Sequence, residues 1–326
     1  MVELGQLPAA WLGWVEGAGL PSPTLVALTG DVSTRRYFRV TSGDRTAVLA
    51  VYPEEARAVC GRFVATTRLL ESVGVPVPAV LATDGEAGLM LVEDLGDSTL
   101  WHHRDLPWAE LARAFETASE LSARIATLPV EAVVGLSPPL DRSLLERELQ
   151  QTLRTFLRPQ GFLAPAARAV RVEGGLRDLC DRVASQPVAV CHRDFMARNL
   201  VPAARAEGEP FGSLLAVLDH QDLRCGPAAY DLASLLNDSL FPPPAVEESL
   251  LERFLPALGS IEDYHAAAAQ RALKAVGTYA AFAERGHPRH LPLIGPTLER
   301  ALRHLAALPE TASLAADLRG GFDRIC

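Results

Sequence analysis

The sequence predicts an α+β protein with two lobes: a small N-terminal lobe built on an antiparallel β-sheet with one helix, and a larger C-terminal lobe that is mainly α-helical. Short apolar runs bounded by turn residues dominate the N-terminal part, whereas helical periodicity dominates the chain after Asp97. At 326 residues the chain is long enough for two cores. We therefore predict lobes at residues 1–97 and 98–326, with the boundary near Leu95 to Ser98.

The N-terminal lobe is predicted from five strand-like runs and one long helical stretch. Turn signals fall at residues 42–44, at Pro53 and at residues 84–85. The stretch 54–73 repeats apolar residues at helical spacing, so we expect this helix to pack on the sheet. The predicted strands are 24–29, 36–41, 46–52, 79–83 and 88–93, and a short amphipathic helix at 8–15 precedes them.

The C-terminal lobe is predicted from helical periodicity alone. The predicted helices are 108–128, 142–157, 165–185, 228–240 and 261–285. A proline-rich stretch at 241–244 is predicted to connect two helices, and 203–210 is predicted to be a polar surface loop.

Composition excludes several classes of protein. A net charge of -9 argues against broad binding of nucleic acid or anionic membranes. The five cysteines are odd in number and scattered without a CxxC motif, which favours reduced thiols over zinc or disulfides. We see neither a signal peptide nor an apolar run of about eighteen residues, so we expect a cytoplasmic protein. The oligomeric state does not follow from the sequence.

One motif carries chemistry. Residues 192–199 follow the pattern H-x-D-x-x-x-x-N, and Asp219 ends the next apolar run. The carboxylate of Asp194 could accept the proton of an attacking hydroxyl, while Asn199 and Asp219 could hold Mg²⁺ against the phosphates of ATP. This spacing predicts magnesium-assisted phosphoryl transfer.

The motif and the order of elements resemble the aminoglycoside phosphotransferase superfamily, which has a protein-kinase-like fold. Within it, the chain is most similar to the sugar kinases of cell-wall recycling that phosphorylate the anomeric hydroxyl of N-acetylmuramate and N-acetylglucosamine. The resemblance covers nearly the whole chain. The segments that carry it are 31–39, 191–200, 218–227 and 230–234.

The resemblance implies ATP and Mg²⁺ as cofactors and a small sugar as the partner, with no nucleic acid or membrane. It implies Asp194 and Arg198 as catalytic residues and Asn199 and Asp219 as metal ligands. The expected nucleotide-binding residues are Ser33, Thr34, Arg36, Arg39, Val48, Glu93 and Leu95. The expected substrate-binding residues are Asp194, Gln221, Asp222, Glu148 and Arg289.

Several assignments stay open at this point. Asp231 could be a helix N-cap or could support the catalytic loop, and both roles are compatible. The loop with Ser33 and Thr34 could bind phosphate or form a plain polar hairpin. The cluster Arg285, His287, Arg289 and His290 could bind the acceptor or form a solvated surface.

The main departure from the family pattern is a missing lysine. The kinase fold usually places a phosphate-binding lysine in the third strand, but residues 47–52 contain no cation. The only lysine, Lys274, lies in the predicted helical lobe. We hypothesise that Arg36 or Arg39 takes its place.

The sequence thus predicts an ATP-dependent kinase of an amino-sugar anomeric hydroxyl. One alternative is a kinase of the same fold for an aminoglycoside, choline or an amino alcohol. A more distant alternative is a nucleotide-binding regulator without turnover.

Overall fold

The computed structural model describes residues 9–28, 35–203 and 210–323. Contacts between Cα atoms divide the chain into two units. Unit 1 comprises Met1–Asp97 and Ala216–Asp222, and unit 2 comprises Ser98–Leu215 and Leu223–Cys326. The short segment 216–222 therefore belongs to the first unit, although both of its flanks belong to the second.

Unit 1 contains an antiparallel sheet. Its strands are β1 (Thr24–Leu28), β2 (Arg36–Ser42), β3 (Arg45–Val51), β4 (Val80–Asp84) and β5 (Leu89–Glu93). They pair in the order β1-β2-β3-β5-β4. Gly43, with φ of 63°, makes the tight turn between β2 and β3, a conformation that glycine adopts without steric cost.

A helix packs on each face of this sheet. The strands alternate, so Phe38 and Leu49 point to one face, where α1 (Ala9–Gly17) covers them. Ala50 and Met90 point to the other face, where α2 (Ala58–Ser72) packs. We call these the α1 face and the α2 face.

The segment 216–222 is anchored to α2. It ends in a helical turn, His220–Asp222. The buried His220 ring packs 4.3 Å from the Phe63 ring, and its Nδ1 lies 3.0 Å from the Thr66 hydroxyl. These contacts fix the residues just before the turn, including Asp219, in unit 1.

Unit 2 is built around one central helix, α8. Most of α8 is buried, and it packs against α4, α5, α6 and α9. The helices of unit 2 are α3 (Trp108–Ala126), α4 (Arg142–Thr152), α5 (Ala166–Ala184), α6 (Tyr230–Asn237), α7 (Pro244–Phe254), α8 (Ile261–Glu284), α9 (Ile294–Ala306) and α10 (Ala312–Phe322). The remaining strands of unit 2 are β6 (Val188–Cys191), β7 (Leu200–Pro202) and β9 (Arg224–Pro227), and β6 pairs antiparallel with β9. The strand β8 (Leu215–Val217) has its first residue in unit 2 and the other two in unit 1.

The predicted fold class is confirmed, because an antiparallel sheet is followed by a mainly helical remainder. The helix predicted at 142–157 differs in detail, since α4 ends at Thr152 and a π-helical turn, Leu153–Leu157, follows. The helices α7, α9 and α10 were not predicted. Most of the loop predicted at 203–210 lies outside the described residues. No helix among the described residues combines the length and apolar character that crossing a membrane requires.

Candidate active site

The loop that carries Asp194 is held by a buried carboxylate. It follows β6, and Arg193 has a φ of 76°, which is strained for a residue with a side chain. Asp231 accepts hydrogen bonds from the backbone N–H of His192 at 2.5 Å and of Arg193 at 2.9 Å. These bonds keep the loop in its strained conformation. Burial raises the pKa of Asp231, although the two N–H donors oppose that shift.

Asp231 is not a helix N-cap. The helix α6 begins at Tyr230, and the residue before it is Ala229, so Asp231 lies inside the first turn. Its carboxylate points to the loop after β6 instead of capping its own helix. Of the two roles that the sequence left open, the support of the loop is the one observed.

Three cations surround the carboxylate of Asp194. Lys274 Nζ lies 2.9 Å from Oδ1, Arg271 Nη2 lies 3.6 Å from the same oxygen, and Arg193 Nη1 lies 3.8 Å from Oδ2. Burial by itself would raise the pKa of Asp194. The cations, with Lys274 first, outweigh burial and hold the pKa well below its usual range. Asp194 is therefore ionised at any physiological pH.

Glu148 on α4 supplies a second negative charge to this cluster of cations. Its carboxylate accepts from Arg193 Nη2 at 2.8 Å and from Gln270 Nε2 at 3.2 Å, and Lys274 Nζ lies 3.5 Å away. Only 8% of its side chain is exposed. Burial would raise the pKa of Glu148, but Lys274 and Arg193 bring it below its usual value. Burial lowers the pKa of Lys274 in spite of its two carboxylate partners.

A hydrogen bond to the loop that carries Asp194 orients the side chain of Asn199. This residue ends the helical turn Ala197–Asn199, and its Nδ2 donates to the backbone carbonyl of Asp194 at 2.8 Å. With the amide nitrogen used in this way, the side-chain oxygen points elsewhere and is a suitable donor to a hard cation.

Asp219 is held within unit 1. Its φ of 59° is again in the left-handed region, and 45% of its side chain is exposed. Oδ1 accepts from Gln221 Nε2 at 2.8 Å and from Arg35 Nη2 at 3.3 Å. Asp222 lies 3.9 Å from Arg62. Gln221 is buried, and its hydrogen bond supports the carboxylate of Asp219.

An amide oxygen and a carboxylate fit Mg²⁺, which binds few protein ligands and completes its shell with water and substrate phosphates. The described residues contain no cluster of three or more His, Cys, Asp or Glu side chains that could hold a metal ion alone. An amide oxygen and a carboxylate suit magnesium better than zinc, which prefers nitrogen and sulfur ligands.

The predicted nucleotide-binding residues are spread over unit 1. Ser33 and Thr34 lie outside the described residues. Val48, on β3, is paired with Val92 and Arg39, and the exposed Glu93 accepts from the backbone N–H of Ala79 at 3.2 Å. Leu95 is half-buried in the segment after β5.

The two arginines that were expected to bind phosphate have other partners. Arg36 is exposed on the α1 face, with its guanidinium 5.5 Å from the Trp11 ring and 5.1 Å from the Phe38 ring. Arg39 forms paired hydrogen bonds with both Asp94 and Asp97, at 2.7–3.0 Å.

The remaining candidates lie in unit 2. The guanidinium of Arg198 stacks 3.8 Å from the ring centroid of Trp101, and burial lowers the pKa of Arg198. Arg289 is exposed. His290, which was grouped with it as a surface residue, is buried and stacks on Tyr279 at 5.4 Å, so a surface assignment is wrong for this histidine.

Sequence reasoning did not assign the cations of α8 to the site. Arg271 and Lys274 are three residues apart, which places them on one side of a helix. A signal was present, since a lone lysine in a chain that otherwise uses arginine marks a position where a compact ammonium is used. Their acidic partner Asp194, however, is distant in sequence and lies 80 positions from Lys274.

Comparisons with known proteins agree with one another. A family model described as "Phosphotransferase enzyme family" matches residues 24–269. The chain is 34% identical to the N-acetylmuramate/N-acetylglucosamine kinase of Pseudomonas aeruginosa, over 95% of this chain and 92% of that protein. It is 30% identical to the protein of the same name from Pseudomonas putida, over 93% of this chain and 90% of that protein.

Among solved structures, the choline kinase LicA from Streptococcus pneumoniae has a similar fold. The TM-score is 0.61 at 14% identity, over 94% of this chain and 99% of that one. At this identity the likeness concerns the fold alone.

Proposed function

Because the chain belongs to the phosphotransferase enzyme family, we propose that it is a kinase that transfers the γ-phosphoryl group of ATP to the anomeric hydroxyl of N-acetylmuramate or N-acetylglucosamine. The product is the sugar 1-phosphate. The observation that carries this proposal is the similarity, over 95% of the chain, to a relative named for those two sugars.

Asp194 orients the attacking hydroxyl. In the proposed reaction the sugar oxygen attacks the γ-phosphorus, the bond from that phosphorus to the bridging oxygen breaks, and ADP leaves. The hydroxyl proton passes to Asp194 and from there to solvent. Because the cations depress the pKa of Asp194, its carboxylate is a weak base, and it takes the proton only late in the transfer.

Magnesium is the proposed cofactor, with Asn199 and Asp219 as its protein ligands. When bound, it would neutralise charge that develops on the phosphate oxygens. The chain contributes a carboxylate whose orientation is set by Gln221, and an amide oxygen whose orientation is set by the carbonyl of Asp194.

The nucleotide and the sugar are assigned to different parts of the chain. We propose that residues 1–97 bind the nucleotide and that residues 98–326 provide the base and the acceptor site.

The described cysteines are free thiols, and ATP is an intracellular metabolite, so we place the reaction in the cytoplasm.

The charge around Asp194 favours an acidic acceptor. Three cations face the two carboxylates of Asp194 and Glu148, which leaves positive charge beside the base. N-acetylmuramate carries a carboxylate that a guanidinium could bind. Choline and aminoglycosides are cations, so the same cluster would repel them.

An ADP-release assay with Mg-ATP tests the proposal. The acceptor panel contains both N-acetyl sugars, unmodified hexoses, an aminoglycoside and choline. We expect turnover on the N-acetyl sugars, a sugar 1-phosphate by NMR, and no turnover without Mg²⁺. Asp194→Asn should lower kcat by about 10² to 10⁴ while nucleotide binding is kept.

The matched control is Asp178→Asn, which removes the charge of an exposed carboxylate on α5 and should leave kcat unchanged. Turnover on choline or the aminoglycoside alone would refute the proposed acceptor. Full activity of Asp194→Asn would refute the assignment of the base.

A further inference from the structure

The strand that lacks a lysine presents small and aromatic side chains on the α2 face. By alternation along β3, Val48, Ala50 and Tyr52 share this face. A kinase needs a cation at the phosphates of its nucleotide, because their charge must be held and oriented before transfer. The identity of that cation matters only in a kinase, so this inference rests on the proposed function.

Arg36 and Arg39 are poorly placed for this role. Arg36 points to the α1 face, because adjacent residues of a strand point to opposite sides, and it packs on Trp11 and Phe38. Arg39 shares the face of Ala50, but its guanidinium is bound to the two carboxylates of Asp94 and Asp97. Its four hydrogen bonds to these carboxylates, at 2.7–3.0 Å, would have to break before it could bind a phosphate.

Arg35 lies on the α2 face, beside the strand that lacks a lysine. Its guanidinium lies 5.8 Å from the ring centroid of Tyr37 and 6.0 Å from that of Tyr52. Tyr37 is the cross-strand partner of Ala50, and Tyr52 follows Ala50 on the same face. The guanidinium thus lies over the two rings that flank Ala50.

The same guanidinium reaches a candidate magnesium ligand. Arg35 Nη2 lies 3.3 Å from Asp219 Oδ1, and only 19% of the Arg35 side chain is exposed. A cation that lies over two aromatic rings beside a candidate metal-binding carboxylate is placed to contact phosphates that the metal would also contact. Its planar group can bind two phosphate oxygens at once, which an ammonium cannot do with the same geometry.

We propose that Arg35 is the cation that binds the nucleotide phosphates and that it takes the place of the lysine missing from β3. It reaches the α2 face from the residue that precedes β2, and its ion pair with Asp219 and its contacts with the Tyr37 and Tyr52 rings orient it before the nucleotide arrives.

Calorimetric titration of the full-length protein with Mg-ADP and, separately, with adenosine tests this proposal. Arg35→Ala should weaken Mg-ADP about 10- to 100-fold, since a hydrogen bond between charged groups contributes about 1.5–3 kcal/mol. The affinity for adenosine should stay within about twofold, because adenosine has no phosphate. Arg35→Lys keeps the positive charge but loses the planar guanidinium. Its affinity for Mg-ADP should lie between those of the unmodified protein and Arg35→Ala.

Two variants control for the loss of a positive charge. Arg68→Ala removes an exposed arginine on α2 and should leave both affinities unchanged. Arg36→Ala tests the competing assignment. Selective weakening of Mg-ADP by Arg36→Ala, with none by Arg35→Ala, would overturn the proposal, as would an equal loss of adenosine and Mg-ADP binding in Arg35→Ala.

The outcome also separates this proposal from the proposed function. If the unmodified protein binds Mg-ADP and Arg35→Ala binds it equally well, the role of Arg35 is refuted while the kinase assignment stands. If the unmodified protein binds no nucleotide, the proposed function fails and the role of Arg35 fails with it.

Discussion

Lys274 is the residue on which the electrostatics of the candidate active site depend. Its ammonium lies 2.9 Å from the carboxylate of Asp194 and 3.5 Å from that of Glu148. Because the folded-state pKa of Asp194 is below its unfolded value, this pairing stabilises the fold above the unfolded pKa, and the stabilisation is lost as pH falls through the folded pKa.

Replacing Lys274 by Met should move the acid limb of the pH profile of kcat/KM to higher pH. Without the ammonium, burial opposes ionisation of Asp194 more effectively, so its pKa rises. Activity needs the ionised carboxylate and is therefore lost at a higher pH as acid is added. Steady-state kinetics across the acid range measures this shift, and the unmodified enzyme should show no limb from Asp194 in the accessible range.

Lys274→Arg separates charge from shape. It keeps a cation between the two carboxylates, so its acid limb should stay close to that of the unmodified enzyme even if kcat falls. Lys274→Met could fail to fold, since removal of one partner from a buried ion pair can cost about 3–5 kcal/mol of stability. Lys274→Arg keeps a cation at this position and avoids that loss. An unshifted limb in a folded Lys274→Met protein would contradict the prediction.

At the residue scale, the spacing within short motifs could be interpreted from the sequence, whereas contacts between distant positions could not. The resemblance inferred from residues 192–199 and 218–227 is confirmed by the family match. The partners of the motif residues could not be predicted, because the contacts of Asp194 with Lys274 and of His192 with Asp231 join positions 80 and 39 apart. The roles assigned to individual site residues remain predictions.

At the element scale, the crossing of α4 and α8 positions the cluster around Asp194. The helices touch at Gly277, where an added Cβ would lie 2.6 Å from the Cα of Thr152. The hydroxyl of Thr152 donates to the carbonyl of Leu273 at 2.8 Å, and that of Thr155 donates to the carbonyl of Gly277 at 3.0 Å. This close approach brings Glu148 on α4 to Lys274 on α8.

Gly277→Ala should therefore destabilise the protein and impair turnover. The new methyl group meets backbone atoms, which cannot rotate away, so overpacking should cost about 1–3 kcal/mol. Separation of the helices should also lower kcat, because it moves Lys274 away from Glu148. Thermal unfolding and steady-state kinetics measure the two effects.

Gly174→Ala in α5 is the matched control. Apart from the adjacent residues and the backbone of its own helix, no atom lies within 4 Å of the Cβ that would be added there. An alanine in this helix should stabilise the protein by about 0.5–1 kcal/mol through helix propensity alone. If both substitutions changed the melting temperature alike, the close crossing of α4 and α8 would not be the cause.

Periodicity predicted the long helices but not every element. The helix α7 begins at the last of three consecutive prolines, and α9 contains Pro296 in its first turn. Proline is tolerated at these positions, although it discourages a helical assignment from sequence. The π-helical turn after α4 depends on packing against α8, which the local sequence of residues 153–157 does not reveal.

At the scale of the whole molecule, the chain leaves unit 1 at Asp97 and returns to it for seven residues, Ala216–Asp222. This return was not predicted, because it depends on the burial of His220 against Thr66, a contact between positions 154 apart. It places a candidate magnesium ligand in the same unit as the sheet.

Hydrogen exchange should distinguish the two proposed ligand-binding regions. Mg-ADP alone should slow amide exchange in β1–β3 and in residues 216–222, because a ligand stabilises the elements that it contacts. The sugar alone should slow exchange in α8 and in the loop after β6. Mass spectrometry with each ligand separately measures this, and protection of α8 alone by Mg-ADP would contradict the assignment of the nucleotide to unit 1.

The single lysine also gives the protein an unusual chemical property. Reagents that acylate ε-amines have one target in the whole sequence, and that target is buried beside Asp194. A lysine-specific protease likewise has a single cleavage site, in the middle of the central helix α8. Each reagent can attack only when this helix becomes accessible, so either reaction reports the opening of unit 2 without any engineered label.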